Sequence, residues 1–292
     1  MLVHLARAFD RADVIRFASS RTVTVAVGEE KQYFVLHQYN LQQESQYFRT
    51  ALSGAWQETC ELREESPAIF TLFADWLYCK KLVFTTEFDT DDFLVQAYLL
   101  GNRLGAPNFN NAIIDALHAR WNVFKWNEPS LITTVFEETT YSSKLRKLIA
   151  DRWAWSARWG HWKATVESGE AIHHEFGTAL CKVFLARMDE QYDVQLRTGR
   201  TVLTGDYKAP WLGDFCGTYH EHTTGTKCMR TPALPSALPP GLLPAPPSSL
   251  TLPKTGRTND FDCFDCCGIL VLMVLALGIT FGLPIFLCWS AA

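Results

Sequence analysis

The sequence predicts an α+β fold in which a small sheet is flanked by a helical cluster, followed by an α-helical extension, a Pro-rich linker and one C-terminal transmembrane helix. Three observations indicate this order. Apolar residues alternate at strand spacing near the start of the chain and then recur at helical spacing as far as about residue 212. Eight of the thirteen prolines fall between residues 231 and 253. No Asp, Glu, Lys or Arg occurs after residue 265.

The first predicted elements are two strands joined by a short turn. Val23, Val25 and Val27 alternate with small or polar residues, which places them on one face of a strand. The stretch QYFVLH forms a second strand after the polar turn from Gly28 to Lys31. We therefore expect a β-hairpin.

Helical spacing follows the hairpin. The first helical stretch carries Leu41, Ser45, Phe48 and Leu52, and a polar connection runs from Gly54 to Glu65. Ser66 and Pro67 are typical of an N-cap and a first turn, so they open the next helix. Gly105 and Pro107 end the helix after that, and Asn108 is predicted to cap the last one. The apolar stripes of these three helices are Ile69, Phe70, Phe73, Trp76 and Leu77; Phe93, Leu94, Ala97, Leu100 and Leu104; and Phe109, Ile113, Leu117 and Trp121.

This order of hairpin, helical pair, polar loop, helix and helical hairpin resembles the BTB/POZ domain. Within VAVGEEKQYFVLHQYNLQQESQYFRTAL, the spacing of His37, Leu41, Ser45 and Phe48 matches the family pattern H-x-x-x-L-x-x-x-S-x-x-F. SPAIFTLFADWLYCKKL resembles the family signature P-x-x-F-x-x-x-x-x-(W/Y)-(I/L)-Y-T-G-x-L, with Cys79-Lys80 in place of the Thr-Gly turn. The match covers residues 20–121, and its details resemble filamentous-fungal members.

The resemblance implies a protein-interaction module that forms a homodimer through the BTB domain. Many members also hand substrates to a cullin-type ubiquitin ligase, often through a hydrophobic-x-Glu step after the second helix. Trp56-Gln57-Glu58 matches that step, so Trp56 and Glu58 are candidate partner-binding residues for a cullin scaffold. No Kelch, MATH or zinc-finger array is visible to bind a substrate. An interaction scaffold and a ligase substrate adaptor both stay open at this point.

Residues 125–212 are predicted to form the α-helical extension. Trp155, Trp159 and Trp162 recur at helical spacing, which favours one helix face packed on the core over a ligand-binding cage. His173 and His174 are adjacent and therefore point to different faces of a helix, so we predict them on the surface.

Residues 213–230 contain the pattern C-x3-H-x-H-x5-C within FCGTYHEHTTGTKC. Cys216, His220, His222 and Cys228 would supply two thiolates and two imidazoles, a sufficient tetrahedral set for structural zinc. The alternative is an exposed loop in which Cys216 packs beside Trp211 and Phe215. The segment is therefore a candidate metal site.

The last part of the chain is predicted to contain a linker and a membrane span. Residues 231–262 are predicted to be a disordered Pro-rich linker, and residues 268–289 are long enough to cross a bilayer as a helix. The LPKTG stretch within this linker, residues 252–256, resembles a cell-wall sorting signal. However, Arg7, Asp10 and Arg11 interrupt any secretory signal, so we expect a tail anchor with a cytosolic body.

Two further expectations concern this tail. Cys263, Cys266 and Cys267 precede the span and are candidate lipidation sites. A retained intron is the alternative origin of such an apolar peptide.

Composition argues against two classes of function. The formal net charge of −4 and the lack of a Lys/Arg block argue against nucleic-acid binding. No phosphate-binding loop, G-x-S-x-G elbow or paired-carboxylate pattern occurs, so we expect no enzymatic activity. The nine cysteines are scattered, which is typical of reduced thiols in an intracellular protein.

Overall fold

The computed structural model describes residues 19–54, 59–83, 90–123, 129–156, 172–198 and 209–222. Several predicted features lie outside these ranges. They are the candidate partner-binding residues Trp56 and Glu58, the fourth metal ligand Cys228, the Pro-rich linker, the predicted span at 268–289 and the lipidation candidates Cys263, Cys266 and Cys267.

A three-stranded sheet forms one side of the core. The predicted hairpin is confirmed as β1 (Thr22–Val27) and β2 (Gln32–His37), paired antiparallel with Val25 opposite Phe34. A third strand, β3 (Thr59–Leu62), pairs parallel with β1 and gives the order β2-β1-β3. This strand corrects the prediction of a continuous polar connection. Only its Cys60 is deeply buried, so four residues were too few to show a strand pattern.

Two short helices follow the hairpin, α1 (Gln38–Glu44) and α2 (Gln46–Ala51). Helical spacing continues through both, but the backbone becomes extended at the buried Ser45 between them. The Ser45 hydroxyl accepts a hydrogen bond from the Phe48 backbone N–H and donates one to the Leu104 carbonyl at 2.6 Å. One side chain therefore caps α2 and ties it to a distant helix.

Helix α3 (Pro67–Cys79) contacts the sheet through Phe70, whose ring centroid lies 4.9 Å from that of Phe34. Its predicted stripe is buried, except for the half-buried Ile69. Ser66 occupies the N-cap position but its side chain makes no capping hydrogen bond. The helix ends at Lys80, whose φ of 53° is left-handed. Where the family has its small turn residue, the Lys80 ammonium instead lies 2.8 Å from Glu44 and over the Trp76 ring, contacts that offset the unfavourable backbone.

Helices α4 (Asp91–Leu104) and α5 (Pro107–Val123) form the predicted helical hairpin. Thr90 caps α4, and Gly105 ends it with a φ of 58°, a conformation that suits glycine. The prediction that Asn108 caps α5 is wrong. The helix already begins at Pro107, and the Asn108 amide donates to Glu44 at 3.0 Å instead.

The extension is helical where the structure describes it. It contains α6 (Pro129–Glu138), α7 (Lys144–Ser156), α8 (His174–Thr198), a 3-10 turn (Pro210–Leu212) and the short α9 (Phe215–Tyr219). Trp155 is half-buried beneath the Arg187 guanidinium, whereas Trp159 and Trp162 lie outside the described residues. His174 is exposed as predicted, but His173 is half-buried against Phe136. Among the described helices, none combines the length and the apolar character that crossing a membrane requires.

Candidate metal centre and interaction surface

The short helix α9 holds the first predicted metal ligand. Its N-cap is Asp214, whose carboxylate accepts a hydrogen bond from the Gly217 backbone N–H at 3.0 Å. The chain leaves the helix at His220, whose backbone N–H bonds the Cys216 carbonyl. This single turn brings Cys216, His220 and the following His222 to one side of the segment.

Residues 220–222 dock on α5, more than a hundred positions earlier in the chain. The Asn111 amide makes a reciprocal pair of hydrogen bonds with the Glu221 backbone, both at 2.8 Å. One turn further along the same helix face, the Asp115 carboxylate lies 3.0 Å from His220 Nε2. His118, on the same face, contacts the Phe215 ring at a centroid distance of 4.4 Å. Spacings of four and three residues place these side chains on one stripe of α5.

Tyr219 anchors α9 to α7. Its side chain is fully buried, and its hydroxyl donates to Asp151 Oδ2 at 2.6 Å. The Lys147 ammonium lies 2.9 Å from the same oxygen, so the buried carboxylate has a counter-charge. Burial, followed by the hydrogen bond to Asp151 and its negative charge, raises the pKa of Tyr219 above its usual range. The hydroxyl therefore remains a donor throughout the physiological pH range.

A second buried contact joins α5 to α7. One Arg152 nitrogen lies 2.7 Å from His118 Nδ1 and donates to the His118 carbonyl and to Asn122 Oδ1. Burial, and then the charge of Arg152, lowers the pKa of His118 to about 4. His118 is therefore neutral at neutral pH, with Nδ1 as an acceptor. The Arg152 guanidinium also lies over the Trp211 ring, with its carbon 4.4 Å from the ring centroid.

The predicted metal ligands approach one another closely. One ligand atom from each of Cys216, His220 and His222 lies within 4.8 Å of the other two. Cys216 Sγ is 2.9 Å from His222 Nε2. His220 is buried, Cys216 is half-buried and His222 is exposed, so the cluster opens to solvent on one side. Trp211 and Phe215, which the alternative prediction places beside Cys216, are partly buried against the core.

Asn111, Asp115, Tyr219 and Asp151 are important for this arrangement but were not singled out from the sequence. On α5, polar residues opposite an apolar stripe are typical of a solvated face, so Asn111 and Asp115 carried no signal of a docked segment. Tyr219 lies between two candidate ligands, and the C-x3-H spacing carries no signal of a role of its own for it.

The outer face of the sheet is a separate candidate surface. Tyr33 and Val35 alternate with the half-buried Phe34 and the buried Leu36, so they project from the opposite face of β2. Tyr33 is 65% exposed and Val35 is 64% exposed. Two large apolar side chains on an edge strand form a surface suited to contact with another protein.

A family model and solved structures resemble part of this chain. A family model described as "BTB/POZ domain" matches residues 17–118. Those residues are a BTB/POZ domain. A solved "BTB domain of zebrafish PATZ1" is similar at 18% identity, covering 40% of this chain and 98% of that chain, with a TM-score of 0.31. A BTB domain of human Gigaxonin is similar at 12% identity, covering 39% and 98%, with a TM-score of 0.30. No curated protein matches the chain in a sequence comparison.

The matched residues thus run from β1 into α5, and the α5 stripe that receives the Cys/His segment lies within them. The resemblance to filamentous-fungal members stays a prediction. Since BTB domains are protein-interaction modules, the match indicates an interaction scaffold.

Proposed function

We propose that this protein is a BTB scaffold that forms a homodimer, recruits partner proteins and is held at a membrane by residues 268–289, with its body in the cytosol. The proposal rests on the match of residues 17–118 to the BTB family. It is supported by the exposure of Tyr33 and Val35 on β2, an edge strand of the described sheet. Burying both side chains against a second copy would remove apolar surface from water, which favours association at roughly 25 cal/mol per Å².

Self-association is tested by light scattering on the detergent-solubilised full chain. We expect a protein mass twice the 33.1 kDa of one chain. A double variant, Tyr33→Ser with Val35→Ser, is expected to return to the single-chain mass. The matched control, Tyr141→Ser with Leu185→Ser, changes two exposed apolar residues outside the BTB domain and should remain dimeric. A single-chain mass for the wild type would contradict the dimer, and a dimeric double variant would exclude this face.

Membrane attachment rests on the uncharged stretch that ends the sequence. We expect the full chain to remain in the membrane pellet after alkaline extraction, and a chain ending at residue 267 to be released. Leu277→Lys places a charge near the middle of the span, at an insertion cost of about 3 kcal/mol, and should weaken retention. Leu277→Ile is the matched control. Equal release of the full and shortened chains would contradict the anchor.

Lipidation would strengthen this attachment. Cys263, Cys266 and Cys267 stand next to the proposed span, where palmitoylation of a thiol adds a second membrane contact. A thiol-specific acyl-exchange assay should label the wild type and not the triple Cys→Ser variant. Absence of label on the wild type would reject the modification.

A substrate adaptor of a cullin-type ubiquitin ligase is the second candidate function. It is favoured by one sequence observation, the Trp56-Gln57-Glu58 step. A pull-down with a cullin scaffold should capture the wild type but not the Trp56→Ala, Glu58→Lys double variant. Glu64→Lys, an exposed charge reversal nearby, is the control. If the wild type is not captured, the adaptor role is excluded, whereas the scaffold proposal stands.

A further inference from the structure

The Cys/His cluster has no role in the proposed scaffold function, so its chemistry needs a separate explanation. A thiol and two imidazoles from a seven-residue segment converge on one point, within 4.8 Å of each other. This donor set is the one that zinc takes in proteins, whereas magnesium and calcium prefer oxygen ligands.

We propose that Cys216, His220 and His222 bind a zinc ion, with Asp115 as the positioning residue that orients His220. In tetrahedral geometry, a zinc-bound sulfur and nitrogen lie about 3.6 Å apart, given bond lengths of about 2.3 and 2.1 Å. The Sγ–Nε2 distance of 2.9 Å would therefore widen by about 0.7 Å on binding. His222 is exposed and its side chain can rotate outward to allow this.

The contact between Asp115 and His220 is the strongest structural support. Histidines that bind metals commonly donate their other ring N–H to a carboxylate, which sets the tautomer and the orientation of the ring. Here Asp115 lies 3.0 Å from Nε2 of the buried His220. With Nε2–H donating to Asp115, Nδ1 carries the lone pair that a metal ion requires.

A thiol–imidazole dyad for nucleophilic chemistry would also place Cys216 and His222 within hydrogen-bonding distance. That alternative uses only Cys216 and His222 and assigns no role to the contact between Asp115 and His220. A metal site uses all four residues.

The position of the site indicates its effect. The ligands belong to the segment that ends the described part of the chain, and Asp115 belongs to the last helix of the BTB domain. Zinc would therefore fasten this segment to the BTB domain immediately before the predicted Pro-rich linker. An ion that binds only the folded state also stabilises that state by mass action.

The test begins with metal analysis of the full chain, purified in detergent without a metal-affinity tag or chelator. We expect about one zinc per chain for the wild type. The variants Cys216→Ser and His222→Ala should fall below about a tenth of an equivalent. Cys181→Ser and His174→Ala, which change a thiol and an exposed imidazole elsewhere, should keep the zinc.

Two measurements guard against variants that fail to fold. Circular dichroism should give the same helix content for all variants. Cobalt added to the metal-free wild type should give the intense ligand-field absorption of tetrahedral coordination and a thiolate-to-metal charge-transfer band. Cys216→Ser should lose the charge-transfer band. A wild type without zinc and without these bands would overturn the proposal, and so would zinc retained in both ligand variants.

The positioning role of Asp115 has its own readout. Asp115→Asn should still bind zinc at saturation but with an affinity lower by about 10- to 100-fold, measured by competition with a chromophoric chelator. In excess chelator, the substitution should change the free energy of unfolding by less than it changes the free energy of zinc binding. An unchanged affinity would show that Asp115 does not orient a metal ligand.

Discussion

Removing the Tyr219 hydroxyl tests whether α9, with the Cys/His segment, is held on α7 by one buried hydrogen bond. Tyr219→Phe deletes a single oxygen and leaves the buried ring in place. The Asp151 carboxylate, only 2% exposed, then keeps only the half-exposed Lys147 as its described polar partner. A hydrogen bond to a charged group contributes about 1.5–3 kcal/mol, and a buried acceptor that loses its donor pays the full cost of desolvation.

We therefore expect Tyr219→Phe to lower the free energy of unfolding by about 2 kcal/mol. In a domain of this size that loss corresponds to a Tm lower by about 4–8 °C. The assay is urea unfolding of the full chain in mild detergent, followed by circular dichroism and tryptophan fluorescence.

The matched control is Tyr141→Phe. The Tyr141 side chain is 73% exposed and its hydroxyl accepts from Lys182 at 2.7 Å, so its loss should cost less than about 0.5 kcal/mol. If Tyr219→Phe proves no more destabilising than Tyr141→Phe, the hydrogen bond to Asp151 does not hold the segment.

Ser45, His118 and Cys228 can each be tested by substitution. Ser45→Ala should lower the free energy of unfolding by about 2–4 kcal/mol, because it removes a helix cap and leaves the buried Leu104 carbonyl without its hydroxyl donor. Ser53→Ala, at an exposed site, is the control and should cost under about 0.5 kcal/mol in the same urea assay. His118 has a pKa of about 4 in the folded chain, below its unfolded value of about 6.5. Its contribution to the free energy of unfolding is therefore fully present above pH 6.5 and is lost as the pH falls toward 4. His118→Asn should therefore lose less stability than the wild type over that window when both are unfolded in the presence of chelator, and parallel curves would contradict this. Cys228→Ser should lower zinc affinity as a fourth-ligand change, and an affinity equal to that of the wild type would exclude Cys228 as a ligand.

Local patterns were enough to predict much of the BTB domain. The alternation of Val23, Val25 and Val27 predicted β1, and the apolar stripe of α3 is buried as its spacing requires. Gly105 ends its helix in the left-handed conformation that glycine favours. These features depend on neighbouring residues, whose relation in space is set by the strand or helix period.

Two of the errors arose where a distant contact overrode the local signal, and the error at Asn108 arose from its neighbour. Strand β3 is too short to show a period and is stabilised by pairing along β1. Ser45 continues a helical pattern, yet its backbone is extended because its hydroxyl caps α2 and reaches the end of α4. Asn108 has the preferred chemistry of a cap, but Pro107 had already begun the helix.

The sequence by itself determined the residue types available for a metal and the order of the elements around them. Spacing placed Cys216, His220 and His222 on a short segment, and no tertiary information was needed to suggest zinc. Only the tertiary structure decided that Asp115 lies beside His220 and that Asn111 clamps the Glu221 backbone. Those pairs are separated by 105 and 110 positions, and contacts at that separation arise from the packing of whole helices, which no local period encodes.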